Sequence, residues 1–125
     1  MVNFREFKTS SGKKVLGGKS AVNNEELIEQ VESMEVVLHT AMPGSPFCNI
    51  KGIASKKDIS EAAIFCAKYS QDWRDSKHDV VVHVFKGIDV YKDKKMKTGT
   101  FGVKKFDIVK VKKTDILKLE KDLVK

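Results

Sequence analysis

EVVLHTAMPGSPFCNIKG, residues 35–52, is the stretch that decides the fold. Two apolar runs, Val36 to Leu38 and Phe47 to Lys51, stand either side of Pro43-Gly44-Ser45-Pro46. Short β-branched and apolar runs favour strands, and a proline–glycine pair between them favours a turn that returns the chain antiparallel. The stretch also carries His39, Ser45 and Cys48. A histidine beside a hydroxyl or thiol can make a nucleophilic pair. No third group orients His39 in the sequence, and no oxyanion loop is recognisable. A small hydrolase using Ser45 or Cys48 with His39 therefore stands as the alternative, not the main reading.

Working outward, the upstream segment predicts another hairpin. Phe4 and Phe7, with Val2 and Arg5 beside them, begin a strand that SSGK (10–13) breaks, and Val15-Leu16 continue in a second. Gly17-Gly18 ends it. Asn23 or Asn24 then offers an N-cap, Glu25 and Glu26 occupy the first turn, and Leu27, Ile28 and Val31 form the stripe of a short helix over 24–33. Downstream, Asp58 or Ser60 caps a main helix. Its residues Ala62, Phe65, Cys66, Tyr69 and Trp73 recur at helical spacing, and it runs to Arg74–Ser76.

DVVVHVF (79–85) reads as a strand and Val90-Tyr91 as a weaker one. KDKKMKTG (92–99) is a charged loop. Strands follow at Thr100 to Val103 and at Phe106 to Val111, where Phe106, Ile108, Val109 and Val111 carry the segment inward. Thr114 or Asp115 caps a last amphipathic helix over 114–124, with Ile116, Leu117, Leu119 and Leu123. Short hairpin connections give an α+β fold: one domain over 1–125, with a mainly antiparallel mixed sheet packed by two or three helices.

Composition narrows the function. The chain has 125 residues, 41% hydrophobic and 33% charged, which fits one folded domain. No apolar run approaches a membrane span and the first residues lack a signal-peptide core, so a cytoplasmic protein without a membrane partner is expected. Cys48 and Cys66 match no zinc or redox spacing, and a metal site shared by His39, His83 and the two thiols lacks the short pairs zinc favours. Neither a metal nor a small-molecule cofactor is expected.

The net charge is +7, and its placement matters more than its size. Lys86 to Lys113 contains ten lysines and three aspartates, an excess of seven that equals that of the whole chain. Such asymmetry points to a polyanion, most often nucleic acid; a solvated lysine-rich surface is the plainer account. Tyr91 and Phe101 flank this segment, where aromatics among lysines can stack on unpaired bases, although strand alternation equally buries Phe101. LGGKSAVNNEE (16–26) places a glycine pair between strand and helix, where backbone amides can meet a phosphate and Lys19 can assist. It matches neither a Walker loop nor a dinucleotide fingerprint, and glycines that merely turn the chain account for it as well.

Taken together these pieces resemble the NFACT-R domain, the RNA-binding module of the NFACT ribosome-quality-control factors. FREFKTSSGKKVLGGKSAVNNEELI (4–28), EVVLHTAMPGSPFCNIKG (35–52), SEAAIFCAKYSQDWRD (60–75) and TGTFGVKK (98–105) are similar to the family's motifs and run in its order. The positions that match are Gly17, Gly18, Lys19, Asn24, His39, Gly44, Ser45, Ser70, Trp73, Gly99 and Phe101. Three positions depart: Glu35 where aspartate is usual, Val37 where tryptophan is common, and Pro46 after Ser45.

The resemblance implies a non-enzymatic, stand-alone RNA-binding module. Its implied partner is tRNA or ribosomal RNA of the large subunit, in rescue of stalled translation. Lys92, Lys94, Lys95, Lys97, Lys104 and Lys105 are the expected phosphate contacts. Gly17, Gly18 and Lys19, and His39 with Gly44 and Ser45, are the expected local contacts. A protein-binding adaptor that docks through the C-terminal helix is the other alternative.

Overall fold

The hairpin around Pro43-Gly44 is present. In the computed structural model, which describes residues 3–124, β3 (Val36–Thr40) pairs antiparallel with β4 (Cys48–Ile50), Val36 opposite Ile50 and Leu38 opposite Cys48. The first hairpin is present too: β1 (Arg5–Lys8) against β2 (Lys14–Gly17). Val2 lies outside the described residues. Two further strands, β5 (Val80–Lys86) and β8 (Asp107–Val111), complete a six-stranded sheet in the order β1-β2-β4-β3-β5-β8. Every pairing is antiparallel, so the sheet is not mixed. A second ribbon pairs β6 (Val90–Tyr91) with β7 (Gly102–Val103), a shorter strand than the sequence predicts over 100–103.

Side chains alternate across a strand, so the sheet has two faces with different fates. One presents Val15, Leu38, Ile50, Val80, Val82 and Val111 to α2 (Lys56–Lys68) and α4 (Lys113–Leu123). This core is closed by Trp73, 1% exposed, on the short helix α3 (Gln71–Ser76). The indole N–H donates to Glu120 at 3.0 Å. The other face presents Leu16, Val37 and Phe85, covered by Leu27 of α1 (Ala21–Glu29) and by Val90, Phe101 and Val103 of the ribbon. Val37, where the resemblance leads one to expect tryptophan, is fully buried here. Glu35 accepts from Lys51 Nζ at 2.7 Å and from the amides of Gly52 and Glu32. Burial opposes its charge, but these donors outweigh it and leave the carboxyl below its ordinary range.

Among the described residues four helices form rather than two or three, because the predicted main helix breaks at Tyr69. Ser70 Oγ donates to the Ala67 carbonyl and accepts from the Trp73 amide, ending α2 and capping α3. The other caps differ as well. Ser20, not Asn23 or Asn24, caps α1, which ends at Glu29. Ser55 caps α2, with Asp58 at the third helical position completing a reciprocal capping box. α4 begins at Lys113 without a side-chain cap of its own; its first amide donates to Asp79 from the head of β5. At α4 the cap comes from a tertiary partner, and at α1 a competent residue is drawn away by one. That residue, Asn24, accepts from the Phe47 amide.

The last strand inverts an expectation. Val109 and Val111 face the helices, whereas Phe106 and Ile108 are 47% and 65% exposed. Pairing settles this: Val111 stands opposite buried Val80, and Ile108 opposite His83 on the other face. In α4, Ile116 is buried and Leu119 packs on the same core, while Leu117 and Leu123 remain exposed.

Candidate nucleic-acid interface

Four distant segments meet on the incompletely covered face, around a cleft of about 630 Å³. Lys19 comes from the β2–α1 turn, His39 from β3, Gly44 and Ser45 from the β3–β4 loop, and Thr98 to Phe101 from the end of the charged loop. Its aromatic members are in contact. His39 and Phe47 have ring centroids 4.3 Å apart, and Phe101 meets Phe47 edge-on at 5.4 Å. Arg5 and Arg74 line the cleft as well. The sequence reading assigns neither to the site, and alternation gives no signal for Arg5: it shares its strand face with Phe7, which packs in the closed core against Phe65. The Arg5 guanidinium lies 4.3 Å from the centre of the Tyr69 ring and donates to the Gly18 carbonyl.

The glycine pair serves close packing. The Gly18 amide donates to the Phe47 carbonyl at 3.0 Å, and a Cβ at Gly18 would stand 1.9 Å from Asn24 Oδ1. The Lys19 amide donates to Asn23 Oδ1 at 2.9 Å. Both amides that could cradle a phosphate are thus engaged within the chain. What this turn offers a ligand is the exposed Lys19 ammonium. Gly44 adopts φ +86°, and a Cβ there would lie 2.8 Å from Gln71 Cβ. Its carbonyl accepts from the Gln71 amide at 2.9 Å, which ties the loop to the start of α3.

His39 is partly buried. Its Nδ1 lies 2.8 Å from the Thr40 carbonyl, so Nδ1 carries the proton and the neutral ring presents Nε2 as acceptor. Burial is the main cause that pulls its pKa down; the facing His83, its pair on β5, adds to this. Ser45 is a brace. Its hydroxyl donates to the Pro46 carbonyl at 2.8 Å and accepts from the Thr40 amide at 3.1 Å. Pro46 is itself buried. The Cys48 thiol is fully buried, and burial followed by its contact with Cys66 pushes its pKa well up. An activated nucleophile needs a free lone pair and a base within reach; here the hydroxyl is committed elsewhere and the thiol is held neutral. Among the described residues no group of three or more His, Cys, Asp or Glu side chains could hold a metal.

The charged loop is anchored rather than loose. Lys92 Nζ donates to Glu25 Oε2 at 2.6 Å and to the carbonyls of Lys97 and Thr100, and it sits 4.6 Å from the Phe101 ring centre. The Gly99 amide donates to the same Glu25 oxygen. The Lys92 hydrogen bond is the chief cause that holds the Glu25 carboxyl below its ordinary range. Lys92, expected at a phosphate, thus has its ammonium occupied inside the fold. Lys94, Lys95 and Lys97 stand exposed on the loop leading to the cleft wall. Gly17 lies in β2 against Phe65, outside the cleft lining. Lys104 and Lys105 line a neighbouring depression. Tyr91 packs its ring over Gly102.

An antiparallel sheet with one closed face, and a cationic, aromatic-lined cleft on the other, defines a binding module of the nucleic-acid type. The family model of the NFACT protein RNA binding domain matches residues 3–105. The chain belongs to that family and is an RNA-binding module. A solved structure, the C-terminal part of the fibronectin/fibrinogen-binding protein from Streptococcus suis, is similar in fold, with a TM-score of 0.79 at 20% identity. The likeness covers 88% of this chain and 45% of that one. No curated protein gave a significant match. Among the described residues no helix is long and apolar enough to cross a membrane.

Proposed function

We propose that this module grips the sugar-phosphate backbone of a structured RNA, tRNA or ribosomal RNA of the large subunit, in the cytoplasm and without catalysis, as part of ribosome-associated quality control. The observation that carries the reading is the convergence of Lys19, His39, the Gly44-Ser45 loop and Thr98–Phe101 on one cleft, in a member of an RNA-binding family. Lys19, Lys94, Lys95 and Lys97 neutralise phosphates, and Arg5 and Arg74 add positive charge at the cleft. His39 Nε2 accepts from a ribose 2′-hydroxyl, the group that distinguishes RNA from DNA. Lys92 acts indirectly, by holding the loop in place. Gly18, Gly44 and Ser45 shape the walls.

The test is equilibrium binding of tRNA and of large ribosomal subunits to wild type and to Lys19→Glu and Lys94→Glu/Lys95→Glu/Lys97→Glu variants, over a salt series. The expected result is a steep fall of affinity with salt for wild type. The slope should shallow by about one for each phosphate that a variant leaves without its lysine. Affinities that are equal and independent of salt would overturn the reading.

A further inference from the structure

Phe106 and Ile108, expected in the core, stand outside it on the same face of the sheet as the cleft. Ile88, 59% exposed, and Met34, 65% exposed, lie nearby around a depression of about 680 Å³ that Lys104 and Lys105 also line. Clustered apolar side chains left this open mark a contact surface more often than scattered ones do. Phe106 lies nearly flat against His83, with ring centroids 4.0 Å apart and planes 20° apart. His83 lines the cleft and Phe106 lines the depression, while Phe85 lines both. The stacked pair therefore links the two hollows.

We infer that Phe106 is a stacking platform for an unpaired base of the RNA strand whose backbone occupies the cleft. In this arrangement Lys104 and Lys105 neutralise the phosphates that flank the base. The inference rests on the cleft reading. Charge selects the occupant. Lys86, Lys104 and Lys105 border the depression against Asp89 and Asp107, and Asp89 is only 9% exposed, so the face shown to solvent is cationic. A second copy of a +7 chain would be repelled there, whereas a polyanion is drawn in. Every base has a π-face, so such a platform tolerates sequence while requiring an unpaired base.

The experiment is fluorescence anisotropy with a short labelled oligoadenylate, the same backbone without bases, and a tRNA. The proteins are wild type, Phe106→Ala, Phe106→Trp and Lys19→Glu. Phe106→Ala should weaken oligoadenylate binding about tenfold with an unchanged salt slope, the size expected when one base no longer stacks. It should leave the base-free backbone unaffected. Phe106→Trp should retain affinity, and the introduced indole should be quenched on binding. If Lys19→Glu weakens binding while both Phe106 variants behave as wild type with no quenching, the platform is overturned and the cleft reading stands. If wild type binds none of the three ligands, the cleft reading itself fails. If Phe106→Ala abolishes self-association or capture of a protein partner with RNA affinity unchanged, the surface is a protein-docking site and the inference is overturned.

Discussion

The two faces of the sheet are built from the same strands and differ in what covers them. On one face α2, α4 and Trp73 exclude water from Val15, Leu38, Val80, Val82 and Val111. On the other, α1 and the small ribbon cover Leu16, Val37 and Phe85 but leave His39, His83 and Phe106 reachable. Alternation makes this economical: neighbouring residues such as Leu38 and His39 serve the two purposes from one strand. Stability should therefore reside in the closed face and binding in the open one.

The severest challenge to that division is Trp73→Ala. Removing the buried indole should cost about 3–5 kcal/mol of stability in chemical denaturation. RNA affinity, measured where the variant is still folded, should be unchanged. Weaker binding at full stability would reverse the assignment. Glu25→Ala probes the boundary between the faces. It releases both Lys92 and the Gly99 amide from α1 and should cost about 1 kcal/mol, a charged hydrogen bond reduced by its partial exposure. Hydrogen exchange at Gly99 should quicken, and RNA affinity should fall as the loop shifts from its place.

The pH dependence probes the open face, where both His39 and His83 lie. Burial holds His39 and His83 below the ordinary histidine range, so as pH falls the unfolded chain takes up protons first. Their contribution to stability is present above the unfolded value and lost as pH falls through it, from about pH 6.5 downward. Binding should run the same way, because a protonated His39 ring has no free nitrogen left to accept from the ribose 2′-hydroxyl. Affinity should fall as pH drops through the titration of His39, and His39→Gln should flatten that fall in a titration of Kd against pH. The smallest effect is expected for Lys94→Ala or Lys95→Ala singly: a few-fold weaker RNA binding, a salt slope lower by about one, and no change in melting temperature.

Much of this is legible in the chain. Hairpins announce themselves through apolar runs and turn residues, and the spacing of Ala62, Phe65 and Cys66 marks α2. Caps are not, because Ser20, Asn23 and Asn24 are all competent, and the choice falls to partners far away, such as the Phe47 amide for Asn24. The facing of β8 misleads because Phe106 and Ile108 are bulkier apolar residues than Val109 and Val111. Only the register with β5 decides which pair is inside. A glycine pair, a turn and a lysine run single out the site's members. Their meeting in one cleft depends on sheet order, which no local pattern encodes. Lys92 shows the same limit: a lysine in a basic loop looks like its neighbours until Glu25 is found beside it.

Whether RNA meets the open face and not the closed one is decided by amide chemical-shift mapping during an RNA titration. Perturbations are expected at Lys19, His39, Gly44, Thr98 to Phe101 and around Phe106, with α2 and the buried side of α4 silent. Perturbations centred on α4 or on the exposed end of α2 would refute the assignment of binding to the open face.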